Sequence, residues 1–164
     1  MSILIIDIEE ELFVEIERKF LVKECPKNIQ EYECISMEQT YISTNPTIRL
    51  RRENDKFILT VKGSGLISRE EFELEITKEQ YDNLLLKRET PFVKKKRYKI
   101  PLENNLVAEL DIYFGELEGL MTVEVEFLTE NEALDFIPPK WFGEDVTMDK
   151  RYKNTNLSIY GIPK

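Results

Sequence analysis

The stretch Glu15-Ile16-Glu17-Arg18-Lys19-Phe20 decides how the rest of the chain is read. In a β-strand successive side chains point to opposite faces. Glu15, Glu17 and Lys19 then share one face, and Ile16, Arg18 and Phe20 share the other. An ordinary half-buried strand turns apolar residues inward and charges outward. Here two arrangements stay open: the charged face meets bulk water, or it lines an enclosed polar cavity.

Working outward, Leu12 to Val22 reads as the first strand, and Cys25 to Glu33, opening with Pro26, as one or two helical turns. Ser36 to Ser43 is a strand closed by Asn45-Pro46. Thr47 to Glu53 and Lys56 to Lys62 form a hairpin across Asn54-Asp55, followed by a Gly63-Ser64-Gly65 loop. Arg69 to Ile76 alternates without a break, Glu71, Glu73 and Glu75 against Phe72, Leu74 and Ile76. Thr77 and Gln80 have capping-box spacing and open a helix to about Arg88, which Pro91 stops. Strands follow at Val93 to Ile100, Leu106 to Phe114 and Leu120 to Leu128. A second capping box, Thr129 with Glu132, leads a short helix to about Phe136, broken by Pro138-Pro139. Trp141-Phe142-Gly143 reads as an aromatic loop or single turn that plugs the core. The tail from Val146 to Ile162 carries Arg151, Tyr152 and Asn154. The expected fold class is α+β, one domain over residues 1–164, with about eight mostly hairpin-joined strands closing into an antiparallel barrel. A barrel of about eight strands leaves room for side chains or one small ligand.

The period-two assignment repeats from strand to strand. Arg49 and Arg51 oppose Ile48 and Leu50; Lys62 opposes Phe57, Leu59 and Val61; Lys95, Arg97 and Lys99 oppose Tyr98 and Ile100. Glu109 and Asp111 oppose Leu110, Ile112 and Phe114; Glu124 and Glu126 oppose Val123, Val125 and Phe127. Lys94, Lys96 and Arg18 fall on the other face and are expected to be solvated. The charges come in blocks of one sign, whereas solvated faces intersperse the two. Like charges directly opposite each other are destabilising. A basic block calls for an anion and an acidic block for a cation, which together describe a metal-chelated polyphosphate. Amphipathic helices also need an apolar sheet face to cover, and on a closed barrel that face is the outer one.

Composition narrows the chemistry. The formal net charge of −9 argues against general nucleic-acid binding, where a basic field supplies most of the affinity. The absence of histidine removes His-based triads, ligands and general bases, leaving carboxylates, lysine and tyrosine. Cys25 and Cys34 lack CxxC spacing and read as free thiols of a reducing cytoplasm. The short apolar run at the start has no basic residue before it and glutamates after it, so no signal peptide or membrane span is expected. No nucleic-acid or membrane partner is expected, and a homodimer stays open.

Taken in order, these motifs resemble the CYTH family, the triphosphate tunnel metalloenzymes. The signature ExExK stands as Glu15-Ile-Glu17-Arg-Lys19, in the EIERKFLV form of the bacterial triphosphatase branch. Gln39-Thr-Tyr41-Ile, Arg49-Leu-Arg51, Lys62, Glu71-Phe-Glu73, Lys95-Lys-Arg97-Tyr98, Glu109-Leu-Asp111 and Glu124-Val-Glu126 follow. The resemblance implies an eight-stranded tunnel with a charged interior and helices outside, which binds a triphosphate with Mg²⁺ or Mn²⁺ and cleaves a phosphoanhydride bond. It implies that Glu15, Glu17, Asp111, Glu124 and Glu126 hold one or two metals. Lys19, Arg49, Arg51, Lys62, Lys95 and Arg97 would bind phosphate oxygens, and Glu71, Glu73 and Glu109 would hold those basic side chains in place. Glu124 or Glu126 would orient the attacking water, so both count as catalytic together with Lys19. Tripolyphosphate is the expected substrate and nucleoside triphosphates the second choice. A class IV adenylate cyclase and a non-catalytic polyphosphate-binding module are the alternatives. Met1 to Phe13 extends beyond the family's usual start, with no role assigned.

Overall fold

The computed structural model describes residues 13–64 and 68–164. The expected extension therefore lies outside the described residues except at Phe13, which already belongs to the first strand. That strand, β1 (Phe13–Val22), is followed by a single 3₁₀ turn, Ile29–Glu31. Next come β2 (Glu33–Thr44), β3 (Thr47–Glu53), β4 (Lys56–Lys62) and β5 (Ser68–Ile76). The helix α1 (Lys78–Leu85) precedes β6 (Val93–Pro101), β7 (Val107–Phe114) and β8 (Met121–Glu126). The chain ends with α2 (Glu130–Asp135), β9 (Phe142–Asp145) and α3 (Asn154–Tyr160). Both expected capping boxes form: Thr77 accepts from the Gln80 N–H and Thr129 from the Glu132 N–H, with each partner side chain reaching back.

All strand pairings are antiparallel. The order is β5-β4-β3-β2-β6-β7-β8-β1-β9, and β1 also pairs with β5. One edge of β1 meets β8 through Glu17–Leu21. Its other edge meets β5 at Phe13–Ile16 and then β9 at Phe20 and Val22. The first eight strands thus run round a ring, and β9 extends the wall at one end. The Trp141-Phe142-Gly143 segment is therefore not a loop: Phe142 opens a ninth strand. Gly143 fits there because a Cβ would come within 3.1 Å of the Leu21 carbonyl oxygen.

The apolar core lies outside this ring. Phe20, Ile100, Ala108, Leu110, Val123 and Val125 project from the outer faces of β1, β6, β7 and β8, with Phe127 just past the end of β8. Ala133 and Phe136 of the α2 segment and Trp141 and Phe142 pack over them. A second cluster sets Tyr81, Leu84 and Leu85 of α1 on Leu50, Phe57, Leu59 and Ile76. The outer face is not covered everywhere. Val61 (37% exposed), Phe72 and Leu74 (each 48%) stand open on β4 and β5, because among the described residues no helix reaches that side.

The third cluster adds a helix that sits at one end of the ring and not on its outer wall. Leu157 of α3 is buried against Val93, Tyr113, Leu117 and Leu120, with Leu21 and Tyr152 alongside. Val93 and Tyr113 have the strand parity of Lys95 and Asp111, so they belong to the inner face. The helix caps one end of the ring with apolar side chains and leaves the charged remainder as a cavity. The tail carries no strand periodicity, and its alternation could not announce this.

Candidate active site

A cavity of about 640 Å³ fills the ring. Its wall carries Glu15, Glu17 and Lys19 from β1, Arg49, Arg51 and Glu53 from β3, Lys62 from β4, and Glu71 and Glu73 from β5. Lys95, Arg97 and Lys99 come from β6, Glu109 from β7, and Glu124 and Glu126 from β8. The charged face is the inner one. Asp111 shares that face but sits behind the surface at 0% exposure. Glu75, on the same parity as Glu73, lies beyond the cavity and is exposed.

The carboxylates and cations interlock. Asp111 accepts from Arg97 through both oxygens at 2.7 Å and from Lys95 Nζ at 2.5 Å. Arg97 also reaches Glu124 Oε2 at 2.6 Å and pairs with Glu109. The second Glu124 oxygen lies 2.8 Å from Lys19 Nζ. On the opposite wall Glu73 Oε1 bridges Arg49 at 3.1 Å and Arg51 at 2.9 Å, and Thr60 donates to the same oxygen at 3.0 Å. Lys62 Nζ sits 2.8 Å from Glu15 and 2.5 Å from Glu71. Glu71, Glu73 and Glu109 thus contact basic side chains of the wall. So does Asp111, which was expected among the metal ligands.

Ionisation follows from these contacts. Burial would raise the Glu124 carboxyl, but Lys19 and Arg97 hold it well below the usual range. Partial burial, then the charges of Glu109, Glu15, Glu17 and Glu124, push Glu126 up to about 7. Burial and a hydrogen bond shared with Glu15 bring Glu71 to about 7 as well. Burial and the Arg97 charge lower Lys95 to about 8, against the pull of Asp111. Burial also opposes the charge on Lys19, but the charges of Glu124, Tyr113 and Glu17 and the Glu124 hydrogen bond together raise it.

The strand register makes the acidic cluster specific. Glu17 is the cross-strand partner of Glu126, and Glu109 of Glu124. Such like-charged pairs are unfavourable by themselves. Hard divalent cations take carboxylate oxygens, so Glu15, Glu17, Glu124 and Glu126 fit as a donor set. Among the described residues no three acidic side chains converge tightly enough to form a metal site as they stand; Glu15 and Glu124 point instead to Lys62, Lys19 and Arg97.

Several wall residues were not singled out in the sequence. Glu53 Oε1 lies 2.8 Å from Arg51 Nε, and its parity with Arg49 and Arg51 was the available signal. Val146, Thr147, Asp149, Lys150, Lys153 and Thr155, together with Tyr152 and Asn154 already noted in the tail, bring that segment into the cavity. Arg151 points away and pairs with Asp149 at 2.7 Å. Tyr41 lies in the wall, and its hydroxyl accepts from Gln39 at 2.9 Å. Arg18 is on the outer face as expected, yet it is half-buried rather than free in solvent: its guanidinium donates to the carbonyls of Ala133 and Phe136 and pairs with Asp145.

An antiparallel ring with cationic and carboxylate clusters facing one cavity defines a polyanion-binding tunnel protein. The chain belongs to the CYTH domain family, whose model matches residues 14–152. It is 44% identical over 149 residues to an inorganic triphosphatase of Nitrosomonas europaea, covering 88% of this chain and 97% of the relative. It is 38% identical over 146 residues to an inorganic triphosphatase of Acetivibrio thermocellus, covering 87% and 92%. A crystal structure of an inorganic triphosphatase superposes with a TM-score of 0.67 at 41% identity, over 92% of this chain and 97% of that one.

Proposed function

We propose that this chain hydrolyses inorganic tripolyphosphate with the help of a divalent cation, Mg²⁺ or Mn²⁺. The observation that carries the reading is the pairing of Glu17 with Glu126 across one wall of a cavity whose facing wall holds Arg49 and Arg51. Cationic and carboxylate side chains balance along the cavity, so the apo wall offers a polyanion little net attraction. A cation on Glu15, Glu17, Glu124 and Glu126 tips the field positive. When bound, that ion neutralises phosphate charge, the main demand of phosphoryl transfer.

The chain's own residues do the rest. Arg49, Arg51, Lys62, Lys95 and Arg97 bind phosphate oxygens, the arginines as forks. Asp111, Glu71, Glu73 and Glu109 fix those cations in place. Glu124 is held by Lys19 and Arg97, a poor state for a proton acceptor. Glu126, exposed to the cavity, is the better group to orient water and take its proton. Water attacks a terminal phosphorus, the bridging P–O bond breaks, and pyrophosphate leaves with the electron pair. The Lys19 ammonium faces the charge that develops. The pool in which this occurs is the reducing cytoplasm, consistent with free Cys25 and Cys34.

The test is incubation with tripolyphosphate and, separately, ATP, each with Mg²⁺ or Mn²⁺, resolving orthophosphate, pyrophosphate and cyclic AMP. Orthophosphate and pyrophosphate from tripolyphosphate are expected. Cyclic AMP from ATP would point to the cyclase reading, and tight binding without turnover to a binding module.

A further inference from the structure

Arg18 sits in the middle of the ExExK segment but faces away from the cavity, and the proposed chemistry does not use it. Its surroundings are nonetheless elaborate. The guanidinium donates to Ala133 O at 2.9 Å, Phe136 O at 3.1 Å and Asp145 Oδ2 at 2.6 Å. It also lies 4.9 Å from the centre of the Phe20 ring. The other Asp145 oxygen accepts from the Thr147 hydroxyl at 2.5 Å and the Thr147 N–H at 2.9 Å. Thr147 Oγ1 in turn accepts from the Lys19 N–H at 3.0 Å, and the Val146 N–H donates to the Lys19 carbonyl at 2.9 Å. A chain of polar contacts therefore runs from Arg18 back to the neighbouring Lys19.

The link is thin and well placed. Thr147 and Asp149 line the active cavity on one side and a separate outer cavity of about 500 Å³ on the other. Immediately beyond them the tail supplies Lys150 and Lys153 to the cavity wall. Beyond Asp145 the tail pairs with no strand among the described residues, and few backbone bonds among them besides these tie the start of this wall to β1.

We infer that Arg18, Asp145 and Thr147 act as a positioning clamp that seats the Lys150–Lys153 wall against Lys19, so that affinity for the triphosphate depends on Arg18 and Asp145, which lie outside the cavity. The inference rests on the function proposed above. The decisive variant is Thr147→Val, which keeps shape and removes one hydroxyl. That hydroxyl makes hydrogen bonds to both Lys19 and Asp145, and loss of even one corresponds to roughly fivefold. The expected result is a KM for tripolyphosphate raised at least about fivefold, with kcat changed less than about twofold. Thr147→Ser should restore KM, and Asp145→Asn should reproduce the Thr147→Val effect. An unchanged KM, or a loss of kcat and melting temperature together without a KM effect, overturns the clamp. Amide hydrogen exchange provides a reading independent of activity. Exchange across residues 146–155 is expected to run at least about fivefold faster in Thr147→Val, and unchanged exchange overturns the clamp. If the wild-type chain turns over no tripolyphosphate with either metal, the proposed function fails, and the exchange measurement still decides the clamp.

Discussion

Glu17 of β1 and Glu126 of β8 are direct cross-strand partners on the inner face of the ring, two carboxylates set side by side in a protein cavity. Most sheets avoid this arrangement, because like charges opposite each other repel. On the function proposed above, a divalent ion offsets that repulsion. Lys19, two positions along β1, already serves Glu124 in that way. For the Glu17–Glu126 pair the proposed partner is the divalent ion.

Adding Mg²⁺ or Mn²⁺ is expected to raise the melting temperature of the wild-type chain, since an ion that binds only the folded state stabilises it, by about 2.7 kcal/mol at a hundredfold excess over Kd. Glu17→Ala should remain folded, lose turnover, and lose most of the metal-dependent rise. Thermal unfolding with each metal and with a chelator measures this. A full rise in Glu17→Ala would remove Glu17 from the metal site.

Arg51 is held in the wall by Glu73 and Glu53, which aims its fork into the cavity. Arg51→Ala should lower kcat/KM for tripolyphosphate by roughly a hundredfold, the loss of two charge-assisted hydrogen bonds. Arg51→Lys should recover little, because an ammonium lacks the planar fork. Steady-state kinetics and calorimetric binding of tripolyphosphate check both.

Asp111 has no exposure and is bonded to two buried cations. Removing its charge leaves Lys95 and Arg97 repelling each other in the wall. Asp111→Asn is expected to cost about 3–5 kcal/mol in urea unfolding without added metal, the usual loss when one partner of a buried pair is removed. A variant of unchanged stability that has lost only metal affinity would return Asp111 to the ligand set.

Asp145 supplies a pH dependence. Burial would raise its carboxyl, but hydrogen bonds from Thr147 and Arg18 hold it below the ordinary carboxylate range. A lowered folded-state pKa means the stabilisation is fully present above the unfolded value, about 3.9, and is lost as pH falls through the folded one. The melting-temperature gap between wild type and Asp145→Asn should therefore be constant from about pH 7 to pH 5 and shrink below about pH 4. A gap that persists at pH 2 would show that the carboxylate charge is not what stabilises the link.

Much of this molecule was legible along the chain. Hairpin β3–β4 falls at Thr47–Glu53 and Lys56–Lys62 because a turn residue, Asn54 at a φ of 50°, and clean alternation act over a few residues. The helix starts were legible for the same local reason. Two pieces were not. The strand β9 is short, and a single glycine sets its close approach to β1. The helix α3 has no side-chain cap; burial of Leu157 among residues distant in sequence stabilises it. Arg18 was misread because parity gives a side chain's face and not what lies over that face.

By itself, then, the order of residues determined which side chains share a face of each strand and in which blocks the charges fall, since period two is a property of the extended backbone. Only the tertiary structure decided that the charged face is concave. That choice depends on β1 meeting β5, on α2 and the Trp141–Phe142 segment covering the opposite surface, and on α3 capping one end. These are contacts between parts of the chain far apart in sequence, whose free energy no local pattern encodes.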